Sequence, residues 1–310
     1  NNGKDRKINV VDTSETFLRF KILSDSTVEL TKESSYRGYD PFTTLEYCGH
    51  NSITIPEKVR IGRKVYTVTS IGIAAFYRCD NLISISIPEG VTSIGVAAFE
   101  ECRSLTKIDI PESLTNIGEN AFSGCYSLEN ISIPEGVTSI GEFAFSGCSS
   151  LKSINIPESV TSIGASTFYG CSSLEPKLLV YDKGTKCYGW VGNKEKCTNV
   201  VIPDEVTSIG EKAFEGCNSL TSINIPDGVT SIGYWAFERC DSLEPKLLVY
   251  DKGKKCYGWV GDKEKSTDVV IPKGVTSIGD YAFYYCKNLT NINIPESVTS
   301  IGEGAFKSCI

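Results

Sequence analysis

Thirteen cysteines and a single histidine are the most reactive side chains of this 310-residue sequence, and their spacing decides what chemistry they can do. Cys48 and His50 lie two residues apart. On a strand they would share one face, the arrangement of a thiol beside its general base. No third group is suggested to orient His50, so the pair lacks the rest of a catalytic constellation, and the chain reads as a non-enzyme. Structural zinc needs cysteine pairs such as C-x-x-C with histidines near, and neither pattern occurs. Glycine pairs such as Gly136 and Gly141 mimic a phosphate loop, but no Lys-Ser or Lys-Thr follows, so they are turn residues. Glu57, Glu89, Glu112, Glu135, Glu158, Asp204, Asp227 and Glu296 each follow a proline, with Lys273 as the exception. Carboxylates in a row do not converge the roughly six to eight oxygens that calcium prefers, so they read as a solvated rim. No cofactor or metal is expected.

The cysteines owe their spacing to a repeat. Cys79, Cys102, Cys125, Cys148 and Cys171 are 23 apart, as are Pro88, Pro111, Pro134 and Pro157; Cys217, Cys240, Cys286 and Cys309 keep the same register. The unit reads L-x-x-I-x-I-P-E-G-V-T-S-I-G-x-x-A-F-x-x-C, with a period in the solenoid range. One slot holds nine cysteines, so they are expected to stack as a column of small buried thiols. The L-x-x-I-x-I stretch, such as Leu105 to Ile110, predicts a short strand. Pro-Glu-Gly predicts a type I turn, V-T-S-I-G a second strand, and A-F-x-x-C one turn of α- or 3-10 helix with Phe and Cys facing inward. Stacked in register, about eleven coils would extend the strand face by roughly 50 Å. The superhelix is expected to run unbroken through the two 46-residue cysteine gaps.

Composition narrows the partners. The formal charge is −7, with 38 acidic against 31 basic residues, and no Lys/Arg cluster is interleaved with aromatics, which argues against a nucleic-acid partner. No run of 18 apolar residues exists and the first seven residues are polar, so neither a membrane span nor a signal peptide is present. There is no methionine at all. The chain therefore reads as a trimmed fragment whose targeting segment lies elsewhere, which leaves export open.

The repeat L-x-x-I-x-I-P with A-F-x-x-C at period 23, over roughly residues 50 to 310, closely resembles the bacterial leucine-rich repeats of the BspA-like surface-antigen family. That resemblance implies a β/α leucine-rich-repeat solenoid, a right-handed superhelix of parallel short strands. It also implies an exported, surface or secreted protein, and for several members a role as adhesin for host or matrix proteins.

Residues 1–49 do not fit the repeat and are expected to form a β cap, with a hairpin of Phe17 to Ile22 and Val28 to Leu30; residues 50–310 form the repeat domain. Extra residues at Arg60 to Tyr66 predict a small outward hairpin. The chain stops at Cys309 and Ile310, after a standard helical turn. The strand edge left there implies either further sequence or pairing with a second copy; a monomer is the simpler expectation.

Two divergent coils, 174–199 and 243–268, carry L-E-P-K-L-L-V-Y-D-K-G-x-K-C-Y-G-W-V-G twice, 69 residues apart. Each predicts a hairpin, turning at Asp182, Lys183 and Gly184 in the first. Tyr181, Tyr188 and Trp190, with Tyr250, Tyr257 and Trp259, then concentrate in two protrusions, either as binding platforms or as cover for the hairpins' own small core. Cys187 and Cys197 can be read as a disulfide or as buried thiols; the second block has Cys256 opposite Ser266, so a bridge is not essential to the module. Exposed strand positions are short and polar, with Lys107, Asp109, Asn130, Asn155, Asn224 and Asn293 as candidate ligand contacts. The function expected is binding, by adhesion to a host or extracellular-matrix protein. The alternatives are a glycan held by the Tyr and Trp hairpins, or a structural spacer presenting another domain.

Overall fold

The computed structural model describes residues 10–13, 16–31 and 46–309. Much of the expected 1–49 cap (residues 1–9, 14–15 and 32–45) and Ile310 lie outside the described residues. Two compact units are present, Asn1–Leu174 and Glu175–Ile310, and the boundary falls at the start of the first divergent block.

In the first unit the L-x-x-I-x-I stretches form three-residue parallel strands. Ser52–Thr54, Ser84–Ser86 and Lys107–Asp109 make one sheet, and Asn130–Ser132 pairs with Ser153–Asn155. The central isoleucine of each is buried and its neighbours point outward, as a period of two requires. A second parallel ladder aligns Ser70-Ile71, Ser93-Ile94, Asn116-Ile117, Ser139-Ile140 and Ser162-Ile163. From the second pair on, the preceding threonine hydrogen-bonds the coil before it: Thr115 Oγ1 donates to the Thr92 carbonyl at 2.9 Å.

Phe20–Ile22 pairs antiparallel with Thr27–Leu30, which runs parallel to Lys64–Ile71. Lys58–Ile61 forms the 60–66 hairpin with the start of Lys64–Ile71, turning at Gly62 with φ 63°.

The A-F-x-x-C segment differs from the expected helix. It is a run of turns: Ala75, Tyr77 and Cys79 close back onto Gly72, Ala74 and Phe76, while Ala74, Phe76 and Arg78 donate N–H to Val96, Ala98 and Glu100 of the next coil. Alternate amides thus serve different coils. A helix would spend all of them within one segment, and the left-handed residues Ala74 (φ 52°) and Arg78 (φ 57°) interrupt any helical continuation.

Stacking buries what no coil could bury alone. Phe76, Phe99, Phe122, Phe145 and Phe168 form a column with centroids 5.1, 5.3, 5.4 and 5.9 Å apart and nearly parallel planes. Each such buried ring contributes about 1.5–3 kcal/mol. Beside it the thiols of Cys102, Cys125, Cys148 and Cys171 donate to the carbonyls of Phe76, Phe99, Phe122 and Phe145 at 3.0–3.2 Å. The slot wants a small apolar group with a weak donor, which cysteine supplies. Its first member departs from the expected column of free thiols, because Cys79 is disulfide-bonded to Cys48. That bond also removes the Cys48 thiol from any pairing with His50, whose ring instead stacks on Phe17 at 4.3 Å.

In the second unit Asn199–Val201 pairs with Ser222–Asn224, and Asp268–Val270 with Asn291–Asn293. Each divergent block contributes an antiparallel hairpin, Lys177–Tyr181 with Lys186–Val191 and Lys246–Tyr250 with Lys255–Val260. Asp182, Lys183 and Gly184 all have positive φ at the first turn. The hairpins are part of the ladder rather than free protrusions: Lys186-Cys187 pairs with Ser208-Ile209, and Lys255-Cys256 with Ser277-Ile278. The ladder is nonetheless interrupted at the second block, contrary to the expected unbroken stack. Lys246–Tyr250 occupies the edge of Lys255–Val260 that Ser231-Ile232 of the preceding coil would otherwise use. Cys187 and Cys197 are both free and buried, and the partner of Cys197 is the Cys217 thiol. Among the described residues no helix is long and apolar enough to cross a membrane.

Gly189 and Gly258 (φ 122° and 126°) carry the hairpins past the Ala213 and Ala282 carbonyls, where an added Cβ would collide with backbone. Gly189→Ala and Gly258→Ala are each expected to destabilise the protein by about 2 kcal/mol or more in urea titration. Gly184→Ala, facing open space, should cost clearly less. Burial pushes the thiols of Cys102, Cys171, Cys187 and Cys256 up to about 12. A raised value leaves the unreactive thiol form dominant at pH 8. Iodoacetamide at pH 8 should therefore leave these four unmodified in the native protein, by peptide mass mapping, and modify them in urea; native labelling at the unfolded rate would contradict the assignment.

Candidate functional site

Three surfaces compete as the site. In each unit the outward residues of the L-x-x-I-x-I segments come from three-residue strands paired in direct register. Lys107, Asp109, Asn130, Asn155, Asn224 and Asn293 are all exposed there. Lys107 and Asp109 pair with each other at 3.3 Å, an exposed contact of little energetic weight. Asn224 is committed to the stack, since its Oδ1 accepts from the Ile202 amide at 3.1 Å. In the neighbouring strands Val201 lies beside Asn224 and Val270 beside Asn293, with 77% and 68% of their surface exposed. These two valines occupy equivalent positions just after the two divergent coils, 69 residues apart, and were not singled out from the sequence.

On the hairpins, Tyr181, Tyr188, Trp190, Tyr250, Tyr257 and Trp259 are all half-buried. Trp190 Nε1 donates to the Asn193 carbonyl at 3.1 Å and Trp259 Nε1 to that of Asp262 at 3.0 Å, so both indoles are pinned to their own loops. Tyr257 turns inward. Its ring packs edge-on against Phe237 at 5.3 Å, its hydroxyl accepts from the Phe237 amide at 3.2 Å, and burial raises its ionisation well above the ordinary phenol value. Lys186 and Lys255 lie 5.8 Å from the ring centres of Tyr181 and Tyr250.

A third surface was missed. Tyr234, Trp235, Tyr281, Tyr284 and Tyr285 come from the variable positions of two G-x-x-A-F-x-x-C segments and form one connected cluster, with ring centroids 4.6–5.8 Å apart. Together with Trp259, Trp235 and Tyr281 line an open, shallow cleft that Phe237, Tyr257, Ala282, Glu238, Lys263 and Asp280 complete. Lys263 and Glu238 pair at 2.7 Å. The available signal was local: G-Y-W-A-F and G-D-Y-A-F-Y-Y crowd aromatics into slots that hold small or polar residues in most other units.

The post-proline carboxylates point to solvent, all exposed except half-buried Glu57. Among the described residues no three His, Cys, Asp or Glu side chains are grouped to hold a metal ion.

No curated protein sequence matches the chain. Solved structures do. A leucine-rich repeat protein from T. pallidum is 28% identical, covering 74% of this chain and 88% of its own, with a TM-score of 0.50. The pneumococcal vaccine antigen PcpA is similar in fold, at 19% identity over 92% of this chain and 83% of its own, with a TM-score of 0.58. A leucine-rich repeat protein from Bacteroides ovatus is 28% identical over 94% and 91%, at a TM-score of 0.46. The model of the BspA type leucine rich repeat region matches in six copies, over residues 41–175, 191–249 and 253–310. With most of its length accounted for by that repeat, this chain belongs to the family of BspA-type leucine-rich repeat proteins.

Proposed function

We propose that this protein is a non-catalytic binding scaffold, displayed outside the cell, that adheres to a host or extracellular-matrix protein through its strand face. The observation that carries the reading is the exposure of Val201 and Val270 among short polar side chains. A large apolar residue left in water on a strand gives a partner protein something to desolvate, and the surrounding Asn, Ser and Thr side chains supply a polar rim. Long-lived structural disulfides belong to oxidising compartments, so the Cys48–Cys79 bond supports export. The pinned indoles and inward Tyr257 make the hairpins less suitable as the primary contact.

The test is surface plasmon resonance of the purified chain over immobilised matrix proteins such as fibronectin, laminin and collagen. The double variant Val201→Lys, Val270→Lys should weaken binding by about tenfold or more, the scale of a lost interface hot spot. Both side chains are exposed, so the fold should survive. Equal binding by this variant, together with loss in Trp190→Ala, Trp259→Ala, would move the site to the hairpins; no binding by the parent chain would sink the adhesive reading.

A further inference from the structure

We propose that the cleft bordered by Trp235, Trp259 and Tyr281 is a carbohydrate subsite that takes the apolar face of a neutral hexose ring. It is separate from the strand face and does not depend on the adhesive reading.

The fold does not demand these aromatics. Trp235 and Tyr281 occupy the slot two residues after the glycine of G-x-x-A-F, and the backbone there is left-handed, with φ of 56° and 53°. A bulky residue is disfavoured in that conformation. The same slot, with φ of 52–55°, holds Ala74, Ala97, Asn120 and Ser166 in four coils of the first unit and an aromatic, Phe143, in one. The core beneath is provided by Ala236, Phe237, Ala282 and Phe283, so the two rings add surface rather than packing. Their centroids are 5.7 Å apart and their planes inclined by 39°, so indole and phenol meet as a tilted, half-buried pair lining the cleft. Tyr234 and Tyr285 extend the aromatic surface, 42% and 47% exposed.

Charge selects among the ligands such a surface can hold. Ammonium groups already lie against three of the rings: Lys212 at 5.2 Å from Trp235, Lys263 at 5.6 Å from Tyr284 and Lys287 at 5.1 Å from Tyr285. A cationic ligand would meet those charges where cation–π attraction should favour it. An anionic one would meet Asp280 and Glu238 at the rim. A wholly apolar ligand would bury those carboxylates and Lys263 without partners, at a desolvation cost. A neutral sugar avoids all three penalties. Its C–H face stacks on indole or phenol, and its hydroxyls both donate and accept, so they can serve the carboxylates of Glu238 and Asp280 and the Lys263 ammonium. Asp280 is held in place by the Glu303 amide, which donates to Oδ1 at 2.7 Å.

The experiment is affinity gel electrophoresis of the full chain in gels containing a β-1,4-glucan, an α-mannan or a galactan. Polygalacturonate and a quaternary-ammonium polymer serve as charged comparisons. At least one neutral polysaccharide should retard the protein, and retardation should fall by about tenfold in apparent affinity for Trp235→Ala and Tyr281→Ser. Both variants place in the slot a residue it already holds at Ala97 and Ser166, and thermal melts would verify that they fold. Tyr169→Ala, which removes an exposed aromatic in the first unit, should change nothing. Retardation only by the charged polymers, by none of the gels, or equally in both cleft variants would overturn the assignment.

Discussion

Almost every buried side chain of the repeat coils is covered by its own counterpart one coil away, and this neighbour dependence is the constraint from which the rest of the structure follows. Phe99 lies between Phe76 and Phe122, and Ile94 between Ile71 and Ile117. A slip of one residue in any coil would turn its isoleucines outward on both strands at once. Backbone bonds fix the same register. Thr115 N donates to the Thr92 carbonyl and Phe99 N to that of Ala121, so each coil is tied forwards and backwards on different sides.

The turn side gives the scaffold its capacity for surface variation. Alternating left-handed residues free every second amide to reach the next coil, so this side stacks without being a strand. The left-handed slot lies outside the phenylalanine and thiol columns, and its occupants range from buried Ala74 to half-buried Phe143, Trp235 and Tyr281. In the second unit it holds Lys212, Trp235 and Tyr281, with the ammonium against the indole and the indole against the phenol ring. A row of charged and aromatic groups can be displayed there for about 1–2 kcal/mol of local backbone strain per bulky residue.

The duplicated hairpins show how an insertion is absorbed. Adding a strand fills an edge that the ladder would have used, and pairing with the preceding coil is lost at the second block. Side chains span the break. Tyr257 meets Phe237 with both ring and hydroxyl, Lys255 Nζ donates to the Thr230 carbonyl at 2.7 Å, and Lys263 pairs with Glu238. The tyrosine of the K-C-Y-G-W-V strand therefore takes part in the stack, where a protruding hairpin would have exposed it.

The sequence by itself determined the period, the two strands per coil, the burial of the Ile, Phe and Cys slots and the positions of both hairpins, because each rests on a local pattern repeated in register. The strand positions of Lys107, Asp109, Asn130, Asn155, Asn224 and Asn293 were legible for the same reason, since alternation alone says which side chains leave the sheet. Tertiary structure decided what periodicity does not encode. Cys48 precedes the regular register, so its approach to Cys79 appears only once the first coil has closed. The A-F-x-x-C segment has helical spacing, but every second amide takes its partner in the neighbouring coil, which a helical turn would not leave free. Trp235, Tyr281 and Trp259 are far apart in the chain and meet because stacking superimposes equivalent slots and a hairpin returns beside them. A site assembled across coils depends on which residues occupy adjacent copies of one slot, and that is a property of the stack.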